Sequence, residues 1–474
     1  MALLPWIDNA PRRARGREVQ PVTRPWDGRA IARIELATGE DLDRAIEGAE
    51  RAFGVMRAMP AHRRREILLA TAALLRRERV PLGRLMAQDA GKPVTLALAE
   101  VDRAIATFTI AGEELRHGSG ELHPADIDPR GEGFVAVSQR FPVGPIAAIS
   151  PFNFPLNLVA HKVAPAIAVG SALVLKTPPQ APLVPFRLAA LLAEAGLPPG
   201  GFQVLHLPIA VAERLATDPG FAMLSFTGSD RVGWHLKSVA GRKKVLLELG
   251  GNAATIVHED AVDLPALAAR VAFGAFAYAG QICIKVQRLL LHRPIAARFI
   301  RHLVAATRGL KAGDPLDPAT IVGPMIDDEA VLRVQGWIDE AIEGGARPLL
   351  RGRRRRRILG PTILAEVGPG MKVLSREVFG PVLTLQTYRT WDQALRLAND
   401  SVYGLQAGIF TRDAGRVRAA FRELEVGGVI ANDIPTLRLD HLPYGGVKAS
   451  GFGREGLRES MREMTESKLL LWRP

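Results

Sequence analysis

Short β-branched runs alternate with longer helical patterns through most of this chain. Residues 146–149 read as a strand and 158–169 as a helix. Residues 172–175 are again strand-like, and 183–195 form a helix stopped by Gly196 and Pro198. Strands at 203–207, 223–226 and 245–249 continue the set. Alternation of this kind gives right-handed crossovers and a parallel sheet. After Gly251 the pattern resumes, with strands at 254–257, 286–292, 382–387, 406–410 and 428–431. Helices are expected at 263–279, 295–309, 328–343, 391–399 and 412–424. Two α/β bodies therefore meet near residues 248–252. Residues 119–141 and the apolar end of the chain, 466–472, fit neither body. Both read as extended arms that need a sheet edge, with a neighbouring subunit as its donor.

Length agrees with two domains, because 474 residues exceed one ordinary core. Residues 141–160 carry no charge after Arg140 and could span a bilayer by length, but Pro142, Pro145, Pro151 and Pro155 interrupt them. They are expected as a buried strand, loop and helix, with no membrane partner. No secretory signal is visible, since the apolar start is too short and Asp8 follows. The basic run 12–17 lacks the serines of a transit peptide. The formal net charge of +13 is dispersed over helical segments, apart from the arginines at 353–357. Nothing aromatic interleaves that run, so it reads as a solvated loop and no nucleic-acid partner is expected.

Chemistry enters with Cys283, the only cysteine. One thiol excludes an internal disulfide framework and a dithiol redox mechanism, and it fits the cytoplasm. It follows Gly280-Gln281-Ile282, Glu248 opens Glu248-Leu249-Gly250-Gly251, and Asn153 lies in Ser150-Pro151-Phe152-Asn153-Phe154. A thiol can attack an aldehyde carbon, a carboxylate can activate water, and a side-chain amide can hold an oxyanion. The segment from Gly228 and Ser229 to Gly233 reads equally as a plain turn and as a cradle for a pyrophosphate. Lys176 ends a strand, where it is either an exposed lysine or a ligand-binding one. Glu377-Val378-Phe379 pairs an acid and a ring that could hold a ribose and pack near a nicotinamide, or could be a solvated acid beside a core ring. Pro443 to Glu455 is a glycine-rich loop of the kind that walls a site. The ten histidines show no metal spacing along the chain, so no metal site is expected.

Together these segments resemble the NAD(P)-dependent aldehyde dehydrogenase superfamily, in order and from about Val22 to the C-terminus. The resemblance implies an α/β fold with a Rossmann-type cofactor domain (1–118 and 142–248), a catalytic α/β domain (249–454) and a small β oligomerisation arm (119–141 and 455–474). It implies Cys283 as nucleophile, Glu248 as general base, and the Asn153 amide with the Cys283 backbone N–H as oxyanion hole. Lys162 and Glu455 match positions linked to proton relay. NAD or NADP would be held by Ser150, Pro151, Phe152, Lys176, Pro179, Gly228, Ser229, Gly233, Leu249, Gly250, Glu377 and Phe379. Many NAD-preferring members carry Glu where this chain has Pro179. The partner would be a small aldehyde, and the assembly a homodimer or homotetramer. The aldehyde entrance is expected from Arg103, Phe154, Asn157, His161 and Arg438, with salt bridges as the alternative for the two arginines. A mixed polar entrance points to a small polar or anionic aldehyde. The alternatives are transfer of the acyl group to coenzyme A, which Glu248 argues against, or a non-catalytic scaffold or nucleic-acid binder on the same fold.

Overall fold

Five parallel strands form the centre of the first body: Lys244–Glu248, Met223–Thr227, Ile146–Ile149, Leu173–Lys176 and Phe202–Leu205, in that spatial order. Their residues are buried almost throughout, because helices cover both faces and parallel strands then read as continuous apolar runs. In chain order the arrangement is 5-4-1-2-3, so the winding reverses between Ile146–Ile149 and Met223–Thr227. Open α/β sheets bind ligands beyond the carboxyl ends of strands at such a reversal. The computed structural model describes residues 2–13, 18–117 and 120–474. Residues 14–17 of the basic run and Ser119 of the first arm lie outside the described residues.

The second body is a seven-stranded sheet ordered Arg347–Leu350, Thr362–Ala365, Val382–Tyr388, Arg288–His292, Ala254–Val257, Gln406–Phe410 and Gly428–Ala431. Only the first pair is antiparallel. Four helices before the first arm, Gly39–Ala58, Ala61–Arg77, Arg79–Asp89 and Val94–Glu114, pack around the first sheet. Thr38 opens the first of them with a capping box, its hydroxyl accepting from Asp41 N–H while the Asp41 carboxylate accepts from Thr38 N–H. Among the described residues no helix is long and apolar enough to cross a membrane. The segment around the four prolines is a buried strand, loop and helix.

Two expectations change. The arms pair with each other inside one chain: Thr465–Trp472 runs antiparallel to Val135–Pro142, which also pairs with Gly120–His123. The chain supplies its own partner for each arm. The line between catalytic domain and arm at 454/455 also shifts. Gly451–Phe452 pairs with Lys244–Glu248 and so joins the first sheet, and the helix Leu457–Glu463 packs on Asn157–Val169. The arginine run forms a small hairpin, Arg354–Arg355 against Ile358–Leu359, with Arg357 paired to Asp328.

Candidate active site

The helix Leu264–Phe276 ends in a sharp reversal that aims Cys283. Tyr278, Ala279 and Gly280 take consecutive left-handed φ values of 53°, 53° and 67°. Such a backbone is strained for the first two residues and persists only where surroundings hold it. The buried Tyr278 hydroxyl donates to Ala90 O at 2.9 Å. The Gln281 amide donates to Tyr278 O and Pro324 O, and its carbonyl accepts from Ile326 N–H. A Cβ at Gly280 would stand 2.4 Å from the Gly380 carbonyl oxygen, so the turn admits glycine alone.

Glu248 reaches the same place from the other body, as the last residue of its strand. The chain then crosses between sheets through Gly250 and Gly251. A Cβ on Gly250 would lie 2.4 Å from Glu377 Oε2, and one on Gly251 would lie 2.3 Å from Cys283 O. Gly251 N–H donates to Glu377 Oε1 at 2.9 Å. Both Glu248 carboxylate oxygens are buried without a hydrogen-bond partner among the described residues.

Asn153 sits on the loop after Ile146–Ile149. Its Nδ2 donates to Gln281 O at 2.9 Å, which ties it to the Cys283 loop and leaves its second N–H for another acceptor. Beneath the loop lies a pair that the sequence did not disclose. Lys92 Nζ is 2.5 Å from Glu100 Oε2 and also donates to Asn153 O at 3.1 Å. Glu100 Oε1 accepts from Leu156 and Asn157 N–H. Lys92 also lies 3.3 Å from the Phe154 ring centroid.

One cavity of about 1030 Å³ joins these pieces. Cys283, Glu248, Asn153, Ser150, Pro151 and Phe152 line it. Its other limb is lined by Lys176, Pro179, Gly228, Ser229, Leu249 and Gly250, and its far wall by Glu377 and Phe379. The rings of Phe152 and Phe379 meet edge to face, centroids 5.9 Å apart. Tyr444, on the glycine-rich loop expected as a wall, also lines the cavity, and so do Arg333 and Trp337, which the sequence did not single out. The helix Asp328–Glu343 that carries these two shows only ordinary amphipathic spacing.

Most of the remaining expected residues lie behind the wall. Gly233 faces Leu249, where a Cβ would come within 2.3 Å of Leu249 Cδ2, so its missing side chain serves helix-to-sheet packing. Lys162 Nζ is buried against Ser225 Oγ at 3.0 Å and Glu455 Oε1 at 3.2 Å. Asn157, His161 and Arg103 do not line the entrance; all three converge on Asp440. Arg103 thus follows the salt-bridge alternative. Arg438 does line the cavity, with one donor on Glu455 Oε2 at 3.1 Å and a buried Nε without a partner among the described residues. Phe154 packs, as Cys283 does, against the buried cluster that contains Tyr278 and Tyr444. Away from this cleft, His258 and His292 meet across neighbouring strands, beside Glu259. Their rings are stacked, 4.3 Å apart at 14°. Near-parallel ring planes cannot both contain one ion, so the geometry is that of a stacked pair.

Burial pushes the Cys283 thiol up to about 11; the Tyr444 hydroxyl and Arg438 pull against this, while Glu377 and Glu248 add to it. Burial and the neighbouring Glu455 hold Glu248 well above the carboxylate range. For Glu455 burial acts upward too, but Lys162 and Arg438 outweigh it and keep this carboxylate low. The two carboxyls are therefore shifted in opposite directions, Glu248 upward and Glu455 downward.

A model of the aldehyde dehydrogenase family matches residues 12–470. The chain belongs to the aldehyde dehydrogenase family. It is 41% identical to the 3-sulfolactaldehyde dehydrogenase of Priestia aryabhattai over 455 residues, 96% of this chain and 95% of that one. It matches the crystal structure of aldehyde dehydrogenase 21 from Physcomitrella patens in complex with the reaction product succinate. That match has a TM-score of 0.97 and 39% identity, and covers 100% of this chain and 98% of that one. A glyceraldehyde-3-phosphate dehydrogenase from Methanocaldococcus jannaschii complexed with NADP matches with a TM-score of 0.92 and 36% identity, covering 97% and 100%.

The enzyme oxidises an aldehyde with NAD or NADP, and its cleft fits such a cofactor. Ser150 Oγ and Thr227 Oγ1 are buried on the cavity wall without partners among the described residues. Lys176 is buried there too, its ammonium pulled down to about 8 by desolvation and bonded only to Thr177 O. A hydroxyl- and phosphate-bearing ligand supplies what these groups lack. The Lys92–Glu100 pair predicts a stability effect. Lys92→Met would leave the Glu100 carboxylate buried without its cation, a change that typically costs about 3–5 kcal/mol. Chemical denaturation should show a loss of that order, with slower aldehyde oxidation as the Asn153 loop loosens.

Proposed function

We propose that Cys283 attacks the aldehyde and that Glu248 activates the water that releases the acid. The Cys283 sulfur forms a bond to the carbonyl carbon, and the oxygen takes the displaced electron pair. The free N–H of Asn153 Nδ2 and the Cys283 backbone N–H are the donors for that oxyanion. Bound NAD or NADP supplies the hydride acceptor, and the chain is left as a thioester. Glu248 then takes a proton from water, and the hydroxyl oxygen displaces sulfur. The observation that carries this reading is the Glu248 carboxylate: buried, unpartnered among the described residues, and in one cavity with the thiol. It also favours hydrolysis over acyl transfer to coenzyme A. Because burial raises the proton affinity of both Cys283 and Glu248, the rate should rise with pH as each gives up its proton.

Two substitutions separate the roles. Cys283→Ala should abolish oxidation while cofactor binding stays nearly intact. A few per cent of residual turnover would already remove Cys283 as nucleophile. Glu248→Gln should give a burst of reduced cofactor near one equivalent per subunit, followed by slow turnover, in a stopped-flow trace. An unchanged steady-state rate would take the base role from Glu248.

For the substrate we infer a small aldehyde with an anionic group. Arg438 supports this: its guanidinium is buried at the cavity wall near Cys283, and its Nε has no partner among the described residues. The relatives named for 3-sulfolactaldehyde and the neighbour holding succinate accord with it. A panel comparing anionic aldehydes with neutral ones of equal size tests the inference; equal kcat/KM across the pair would overturn it. The assembly is inferred to be a homodimer or homotetramer, because Thr465–Trp472 is an edge strand that exposes Leu469, Leu470, Leu471 and Trp472. A reduced cytoplasmic setting suits the lone thiol.

Cofactor choice turns on Pro179, which lines the cavity with Lys176. A carboxylate there would bond the 2′-hydroxyl of NAD and repel the 2′-phosphate of NADP. Proline does neither, and Lys176 can pair with a phosphate. Removing a repulsive element is half of a specificity switch. NADP and NAD should therefore be used within about tenfold of each other in kcat/KM, ~1.4 kcal/mol. Pro179→Glu should shift the ratio towards NAD in a two-cofactor assay.

A further inference from the structure

We propose that the Tyr444 hydroxyl is a catalytic hydrogen-bond donor to Cys283, holding the nucleophile as a thiolate and receiving it again when the thioester breaks. The proposal rests on Cys283 being the nucleophile, as argued above. Tyr444 Oη lies 3.4 Å from Cys283 Sγ. While sulfur carries its proton, either group can donate. Once the proton is gone, sulfur can only accept, and the phenol must donate. A hydrogen bond to an ionised partner is stronger than one between neutral groups. The contact therefore favours the thiolate over the thiol.

The surroundings keep the phenol in place and protonated. Tyr444 N–H donates to Glu455 O at 2.8 Å, and Glu455 N–H donates back to Tyr444 O at 2.7 Å. Arg438 stacks on the ring, its guanidinium carbon 3.8 Å from the centroid, and is itself held by Glu455. A cation over the ring draws on its π electrons and strengthens the O–H as a donor. Burial first, and the neighbouring thiol second, keep the phenol from ionising well beyond its ordinary range.

The steps balance without a proton leaving the tyrosine. In attack, a thiolate lone pair becomes the C–S bond and the carbonyl π pair moves to oxygen. Sulfur is then neutral and a weak acceptor. In release, Glu248 takes the proton of water and the hydroxyl adds to the thioester carbon. As the C–S bond breaks, its electron pair returns to sulfur, and the Tyr444 O–H again meets a thiolate.

Tyr444→Phe removes only the hydroxyl. Cys283 is the sole cysteine, so iodoacetamide alkylation of the cofactor-free enzyme reports on it alone. Below the thiol's midpoint the rate follows the thiolate fraction, and a rise of one pH unit in that midpoint means tenfold less thiolate. The remaining thiolate is more nucleophilic, which returns part of the loss. Alkylation of the variant should therefore be about three- to tenfold slower at pH 8, with the gap closing as pH rises, while NADP binding stays unchanged. Wild-type rates at every pH would overturn the proposal. If the variant misfolds, 3-fluorotyrosine placed at position 444, a more acidic phenol, must move the midpoint down; an unmoved midpoint overturns it equally. Failure of the nucleophile reading would show separately, as turnover by Cys283→Ala.

Discussion

Everything at the centre of this enzyme depends on how closely the backbone passes between its two sheets. The strand that ends at Glu248 and the strand that begins at Ala254 belong to different bodies. The link between them runs against the Cys283 carbonyl on one side and the Glu377 carboxylate on the other. A Cβ on Gly251 would lie 2.3 Å from the Cys283 backbone carbonyl, which leaves no room for any residue but glycine there. This crossing brings a carboxylate from one body and a thiol from the other into a single cavity. A Cβ on Gly250 would lie 2.4 Å from the Glu377 carboxylate and would displace that side chain from its hydrogen bond with Gly251. Any gap there would be felt at the reacting atoms, since displacements of about 1 Å matter in catalysis.

Around that crossing the charges sort themselves by burial and partner. Glu455 lies between Lys162 and Arg438 and stays ionised. Glu248 has no hydrogen-bonded cation among the described residues, and burial first and the Glu455 charge second raise its proton affinity. Asp440 repeats the first case: burial acts upward, but His161 and Arg103 hold it far below its usual range. Glu455 and Asp440 are thus each held by charged or hydrogen-bonding partners inside the protein. Glu248 in the cavity lacks such a partner among the described residues, the condition under which a carboxyl's proton affinity rises.

The parallel strands and the residues that meet in the cavity were legible because both are local. A four-residue apolar run between turn residues reads as a buried strand, and the boundaries agree with the structure to within one or two residues at 146–149, 254–257 and 406–410. Gly280-Gln281-Ile282-Cys283 and Glu248-Leu249-Gly250-Gly251 carry their chemistry in consecutive residues. What escaped is what the fold assembles from distant positions. Lys92 lies just before the helix Val94–Glu114 and Glu100 lies on it, eight residues apart, yet both are buried beneath the Asn153 loop. His258 and His292 are 34 residues apart in the chain and adjacent across parallel strands. The arms read correctly as extended, but period-2 alternation does not name a partner strand, and each proved to be the partner of the other.

The same distinction explains the fate of the entrance residues. Asn157 and His161 are polar and close to the Asn153 loop in sequence, Arg103 is polar on a preceding helix, and polarity near a site is easily read as contact with a ligand. In the fold all three bond to one acceptor, Asp440, inside the protein. Arg438 differs in one respect. Glu455 takes one edge of its guanidinium, and its Nε lies 3.9 Å from Asp440, beyond hydrogen-bond reach. An arginine has five donors in a fixed plane, so holding one edge also aims the rest. Burying that cation is tolerable because Glu455 balances it, and Glu455 is in turn balanced by Lys162. The polar residues behind the wall therefore bear on the cavity indirectly: through Glu455 they fix the orientation of the Arg438 guanidinium.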